Sequence, residues 1–231
     1  MIKLSLVSPV YNSHFVFREQ IIYLSKILNG LDGKVEVIFV DDGSWPKLIK
    51  IYNGIEIKEF NNFKILRIDE NIPWNQLTAA NLGGLKSKGE YILFFDIDHI
   101  ITLGAIKELL KFKGDMIHWK RVHGVLEKGQ IITNAYALLK YNTSLNSNDI
   151  NKIIRVPFNV TNTFGVKRKL FLDIGGYKDN KTGKYTHEDQ EFHDEFNKKY
   201  NNYISKDNLI YVYPYPASKE NEKYFHSLSR E

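Results

Sequence analysis

Asp96 and Asp98 close the apolar run Tyr91-Ile92-Leu93-Phe94-Phe95, and they are the residues of this chain most suited to chemistry. A hydrophobic stretch ending in two carboxylates one residue apart reads as a buried strand that delivers acids to the rim of a sheet. Alternation along such a strand would put Asp96 and Asp98 on one face and turn His99 to the other. Two hard oxygen ligands on one face can hold a divalent cation, and a cation beside a sheet edge neutralises phosphates. The competing structural reading is a solvated strand end, where Asp favours turns. Of the other acidic pairs, two stand where they could act, Asp41-Asp42 before Gly43-Ser44 and Glu188-Asp189 at the start of a helical pattern. Acids at a helix start are also favoured by its dipole, so Glu188-Asp189 carries a structural reading beside a functional one.

The elements that must position these acids follow from the change of period along the chain. Leu4 to Val7 is apolar and strand-like. Ser13 can cap a helix with apolar positions Phe17, Ile21, Leu24 and Leu28, closed by Gly30. Val35 to Val40 is a second buried strand and Lys64 to Ile68 a third. A helix over Leu77 to Lys88 stops at Gly89, ahead of the fourth strand. Strands alternating with helices predict a parallel, doubly wound sheet, and such sheets bind ligands at the carboxyl ends of their strands. Ser8 to Asn12, Asp41 to Ser44 and Asp96 to Asp98 all fall at those ends.

The second half changes character. Val122 to Leu139 reads as a hairpin or antiparallel patch around Gly124 and Gly129, and Tyr141 to Asn151 as a polar loop. A helix over Lys167 to Ile174 ends at Gly175-Gly176, and another opens at His187-Glu188-Asp189-Gln190 and continues through Phe192 and Phe196. No repeat or linker divides the 231 residues, which suit a single domain with a sizeable core. Its expected parts are a ligand-binding half over 1–100, a second half over 101–212 and a tail over 213–231. No run is long enough to span a membrane, and Met1 to Leu6 is too short for a signal peptide. The absence of cysteine rules out disulfides and thiolate metal sites and fits a reducing compartment, so a cytoplasmic location is the expectation. A net charge of +5 attracts anions such as nucleotides, acidic lipid surfaces or nucleic acid without choosing among them.

Taken in order, these motifs resemble a GT-A fold glycosyltransferase of the family-2 type, with features shared by the β-1,4-galactosyltransferases. Val7-Ser8-Pro9-Val10-Tyr11-Asn12 resembles the first strand and nucleotide-facing turn, which implies donor contacts for Pro9 and Tyr11. Val40-Asp41-Asp42-Gly43-Ser44 resembles the second-strand signature, whose second acid, here Asp42, contacts the base. Trp74-Asn75 and Asn81-Leu82-Gly83 resemble the aromatic-Asn and Asn-x-Gly pair of the galactosyltransferases, implying donor roles for Asn75 and Asn81. Gly89-Glu90-Tyr91 followed by Asp96-Ile97-Asp98 resembles the approach to a metal-binding D-x-D, and Lys169 to Tyr177 followed by Glu188-Asp189 resembles an acceptor-side block. His226 resembles the C-terminal histidine that completes the metal site in some GT-A enzymes. The fold implied is a Rossmann-like, doubly wound and mostly parallel sheet with a small antiparallel portion on the acceptor side. The chain departs from the pattern in having Ala79-Ala80-Asn81 where many members carry Ala-Arg-Asn. It also lacks the Q-x-x-R-W of processive synthases, which implies addition of a single sugar.

Sugar transfer from a nucleoside diphosphate, UDP being the implied nucleotide, needs a stabilised leaving group, a base for the acceptor hydroxyl and exclusion of water. Mg²⁺ or Mn²⁺ on Asp98 would supply the first, with Asp96 holding the ribose or assisting the ion. Asp189 is the candidate base and Glu188 an orienting group for a glycan or other hydroxyl acceptor, which together imply inversion. Trp119, Trp74 and Tyr185 are candidate sugar-stacking rings, although burial is the commoner fate of such side chains. Rival readings are a haloacid-dehalogenase-like phosphatase built on Asp96-Ile97-Asp98, a nucleotidyltransferase, and a non-catalytic nucleotide- or nucleic-acid-binding module. A glycosyltransferase acting on a modified nucleic-acid base also stays open, as does peripheral contact with a membrane.

Overall fold

The computed structural model describes residues 1–57, 59–70, 72, 75–123, 154–155, 163–178 and 188–212. Among them run the strands β1 (Leu4–Val10), β2 (Val35–Asp42), β3 (Phe63–Ile68), β4 (Tyr91–Phe94), β5 (His99–Ile101), β6 (Met116–His123), β7 (Ile154–Arg155), β8 (Phe164–Lys167) and β9 (Asn202–Val212). The helices are α1 (His14–Ile27), α2 (Leu48–Tyr52), α3 (Gln76–Lys86), α4 (Leu103–Lys111), α5 (Arg168–Ile174) and α6 (Glu188–Lys199). All the strands join one sheet in the order β3-β2-β1-β4-β8-β6-β9-β5, with β7 paired to β6. The first four are parallel. Antiparallel pairing begins where β8 joins β4, and it recurs between β6 and β8 and between β5 and β9.

Alternation along the parallel strands splits the core into two layers. Leu6, Phe39 and Leu93 face α1, α2 and α4, where Phe17, Leu24, Leu48 and Ile106 are buried against them. Val7, Ile38, Val40 and Phe94 face the other way, onto Ala79 and Ala80 of α3, Phe171 of α5 and Phe192 and Phe196 of α6. The strands are apolar on both faces because helices cover both. Gly89 lets the chain enter β4 tight against β1, since a Cβ there would lie 2.6 Å from the Ser5 amide nitrogen. Gly175 ends α5 in the left-handed conformation, with φ +88°.

Glu36 is a buried exception at the amino-terminal end of the parallel strands. Its carboxylate accepts from Ser5 Oγ (2.6 Å), from the Lys88 amide (2.6 Å) and from Lys64 Nζ. Burial alone would raise its pKa, but these bonds outweigh it and hold the group below the ordinary carboxylate value.

Two expectations change in detail. Ser13 precedes α1 without capping it, because its hydroxyl donates to the Tyr11 carbonyl (3.0 Å) instead. Trp119 is fully buried and donates its indole N–H to Glu108 (2.8 Å), so it is a core residue and no sugar platform. The segments 124–150 and 213–231, with Trp74, Tyr185 and His187, lie outside the described residues. No helix among the described residues is long and apolar enough to cross a membrane.

Candidate active site

The rim formed by the carboxyl ends of β1, β2 and β4 gathers the polar motifs. After β1 the chain turns at Asn12, which has φ +48°, a conformation that Asn tolerates better than most residues. Its amide donates to Ser44 Oγ (2.9 Å), and its side-chain oxygen accepts from the Trp45 amide (2.8 Å). The turn carrying Tyr11 is thereby stitched to the turn after β2, with Pro9 and Tyr11 both partly exposed.

The two acids ending β2 divide their labour because they alternate across the strand. Asp41 is buried and accepts from the Ser44 amide (2.8 Å), the Leu48 amide (3.1 Å) and the Arg67 guanidinium (2.5 Å), which makes it a structural anchor. Asp42, also buried, accepts from the Asn75 side-chain amide (2.8 Å). The next residue, Gln76, donates to Asp96 Oδ1 (2.7 Å). Two consecutive residues at the start of α3 thus hold one acid from β2 and one from the segment after β4.

The D-x-D itself differs from the strand-end geometry expected. β4 ends at Phe94, and Asp96 to Asp98 form a turn closed by the His99 amide donating to the Asp96 carbonyl (2.9 Å). Strand alternation does not extend through a turn, and His99 is not directed away from the acids. Asp96, Asp98 and His99 offer ligand atoms that all lie within 4.8 Å of one another. His99 Nε2 stands 4.0 Å from Asp98 Oδ1, while its Nδ1 hydrogen-bonds the Thr163 hydroxyl. Ligands of an octahedral ion at about 2.1 Å sit about 3 Å apart when adjacent and about 4.2 Å apart when opposite, so this trio would draw together slightly to hold one Mg²⁺ or Mn²⁺.

Sequence reasoning missed the residue that shapes this turn. Gln20 of α1 is fully buried, and its amide donates to the carbonyls of Ile97 (2.9 Å) and His99 (2.8 Å). Tyr23, one turn on, donates to the Ile101 carbonyl (3.0 Å). A signal existed: Gln20 occupies an i+3 place in the apolar stripe Phe17, Ile21, Leu24, where a polar side chain needs a partner.

On the other side of the rim, Asn81 serves a different purpose from the donor contact expected. Its side-chain oxygen accepts from the Tyr177 amide (2.9 Å) and its nitrogen donates to the Tyr177 carbonyl (2.8 Å). It is a clamp that fixes Tyr177. The Tyr177 ring packs on Phe192 at 4.8 Å between centroids and is buried. Burial first, then the charges of Asp96 and Asp189, raise its pKa well above that of an ordinary phenol, so it stays a neutral O–H donor. The Tyr177 hydroxyl is thus within electrostatic reach of both Asp96, on the D-x-D side, and Asp189, in the first turn of α6. Asp189 is buried and accepts from the following amide, that of Gln190 (2.8 Å). Glu188 opens α6, and His226 lies outside the described residues. β9, which leads toward His226, pairs Val212 with His99 at its last residue, so the chain leaves the described structure beside the acidic turn.

A parallel nucleotide-binding half, a joined antiparallel half and an acidic turn at their junction define a GT-A fold. The family model described as "Glycosyltransferase like family 2" matches residues 5–230, and the chain belongs to that family. It is 34% identical over 111 residues to an uncharacterized glycosyltransferase of Haemophilus influenzae, covering 47% of this chain and 41% of that one. It is 27% identical over 117 residues to the minor teichoic acid biosynthesis protein GgaA of Bacillus subtilis, covering 49% of this chain and 25% of GgaA. The chain therefore spans less than half the length of either relative. Among solved structures, S. aureus TarS 1-349 in complex with UDP-GlcNAc superposes with a TM-score of 0.68 at 18% identity, over 94% of this chain and 60% of that one. The mannosyltransferase PcManGT from Pyrobaculum calidifontis, in complex with GDP-Man and Mn²⁺, reaches 0.60 at 14% identity, over 90% and 56%. At such identities these likenesses establish the fold. Family membership displaces the phosphatase, nucleotidyltransferase and non-catalytic readings.

Proposed function

We propose that the chain is a metal-dependent, inverting glycosyltransferase that moves one sugar from a UDP-sugar to a hydroxyl of a glycan or other acceptor. The observation that carries this reading is the pairing of Asn75 with Asp42 and of Gln76 with Asp96, which links the acid ending β2 to the acid of the turn after β4 at one rim. Asp42 takes the base, and Pro9 and Tyr11 line the rim beside it. Asp96 is held where a ribose hydroxyl or a cation would meet it. Asp98, with Asp96 and His99, would hold Mn²⁺ or Mg²⁺, an ion that supplies Lewis-acid neutralisation of diphosphate oxygens. His226 is a further ligand on this reading, supported by the exit of β9 beside His99.

The acceptor oxygen attacks the anomeric carbon as the bond from that carbon to the diphosphate oxygen breaks, and the acceptor proton passes to Asp189. Glu188 orients the acceptor. Tyr177, a neutral donor within electrostatic reach of Asp96 and Asp189, hydrogen-bonds the oxygens there and lines the site against water. With base and diphosphate on opposite faces of the sugar, the configuration inverts.

The test is hydrolysis and transfer with a panel of UDP-, GDP- and TDP-sugars, UDP-GlcNAc first because TarS is seen with it. Activity should require Mn²⁺ or Mg²⁺, and Asp98→Asn should abolish it with the fold intact. Full turnover in excess chelator would refute metal dependence.

A further inference from the structure

A second site lies at the opposite pole of the sheet, where the parallel strands begin. A cavity of about 410 Å³ opens there between the start of β1, the residues before β2, the start of β4 and the carboxyl end of α4. Lys34, Lys107, Lys111 and Lys113 line it, and among the described residues none of their four ammonium groups has a hydrogen-bond or ion-pair partner. Lys3 completes the group and is paired, across 3.4 Å, with the cavity's one carboxylate, Glu90. Five like charges against one counter-charge raise the local potential and attract anions.

The rest of the lining narrows the ligand. Leu31, Leu110 and Phe112 are partly exposed between the lysines. A free phosphate has no use for apolar side chains, and a nucleic acid would call for stacking rings with arginine. Lysines whose stems cover apolar surface while their ammonium groups reach outward are the composition of a membrane-interface patch.

We infer that this pole docks on an anionic phospholipid surface, the lysines taking headgroup phosphates and Leu31, Leu110 and Phe112 meeting the acyl boundary. The orientation has a consequence. β1 runs seven residues from this pole to the acidic rim, so the site would stand on the order of 20 Å from the lipid and face away from it. Acceptors would be presented from the aqueous side or on a chain long enough to reach that height.

Co-sedimentation of the full chain with vesicles tests this. Wild-type protein should bind phosphatidylglycerol-containing vesicles, release in high salt, and ignore pure phosphatidylcholine. The variant Lys107→Gln, Lys111→Gln, Lys113→Gln should lose on the order of a hundredfold in partitioning, as expected for three lysines near an anionic surface. A control with Lys50, Lys86 and Lys198, all outside the cavity, changed to Gln should bind close to wild type. Circular dichroism and thermal melting establish that both variants are folded. Equal loss in the two variants would mean diffuse charge attraction and overturn the site. No binding of wild-type protein to the anionic vesicles overturns it as well, as does calorimetric binding of inorganic pyrophosphate without vesicle binding.

Discussion

Gln20 shows how one buried side chain can hold the acidic turn from a neighbouring helix. It contributes both amide protons to the carbonyls flanking Asp98 and offers the turn no charge of its own. Gln20→Leu, nearly isosteric, would leave those carbonyls without donors, at a cost of about 1–3 kcal/mol in stability. The more telling readout is the Mn²⁺ concentration for half-maximal activity, measured where the variant is fully folded. That midpoint should rise several-fold if Gln20 positions Asp98, and an unchanged midpoint would assign it packing alone. Asp189 is a sharper case. Asp189→Asn keeps the side chain's shape and its acceptor for the Gln190 amide but removes the proposed base, so kcat should fall on the order of 10²–10⁴-fold with little change in donor affinity. Wild-type turnover in Asp189→Asn, with loss in Glu188→Gln, would exchange the two roles.

At the scale of elements, β6, β8 and α6 pack three aromatic groups together. His118 of β6 sits opposite Phe164 of β8, and its ring lies 5.2 Å from that of His193 on α6. Burial, then the charges of His193 and Arg121, hold His118 down at about 3 against an ordinary 6.5. The unfolded chain therefore takes up this proton first as pH falls. Stability resting on a neutral His118 is complete above about pH 6.5 and is lost toward pH 3, by up to about 1.4 kcal/mol per pH unit. Urea unfolding of His118→Phe between pH 7 and 4 should show a shallower acid slope than wild type, and parallel slopes would show that His118 titrates alike in the folded and unfolded states.

At the scale of the whole molecule, the sheet works as a bridge between two chemistries. Its parallel half ends in the acids proposed to meet the nucleotide, and its antiparallel half supports α5 and α6, next to Tyr177 and Asp189. β9 returns alongside β5 and reaches His99 just before residues 213–231 begin. Truncation after Ala217 should therefore raise the Mn²⁺ requirement on the order of tenfold or more if His226 joins the metal site, a magnitude typical of losing support around a metal. His226→Ala should reproduce it. If the truncated chain keeps its metal affinity and transfer, His226 is a surface residue.

The run of apolar strands, the helices between them and the convergence of three polar motifs at one rim were all legible in the chain. Hydrophobic period and glycine punctuation are local properties, and a doubly wound sheet follows from their order. The division of labour between Asp41 and Asp42 was also within reach, because alternation along a strand is fixed by backbone geometry. Three things were decided only by tertiary contacts. Asp96 to His99 is a turn because Gln20 and the Asp96 carbonyl draw the chain round, and this brings His99 to Asp98 where a continued strand would have parted them. Asn81 became a clamp because Tyr177, 96 residues away in the chain, supplies both of its backbone partners. Trp119 was withdrawn from any sugar because Glu108 of α4 satisfies its indole in the core. Each outcome depends on which polar partner arrives from a distant segment, and a buried polar group takes the partner that folding delivers.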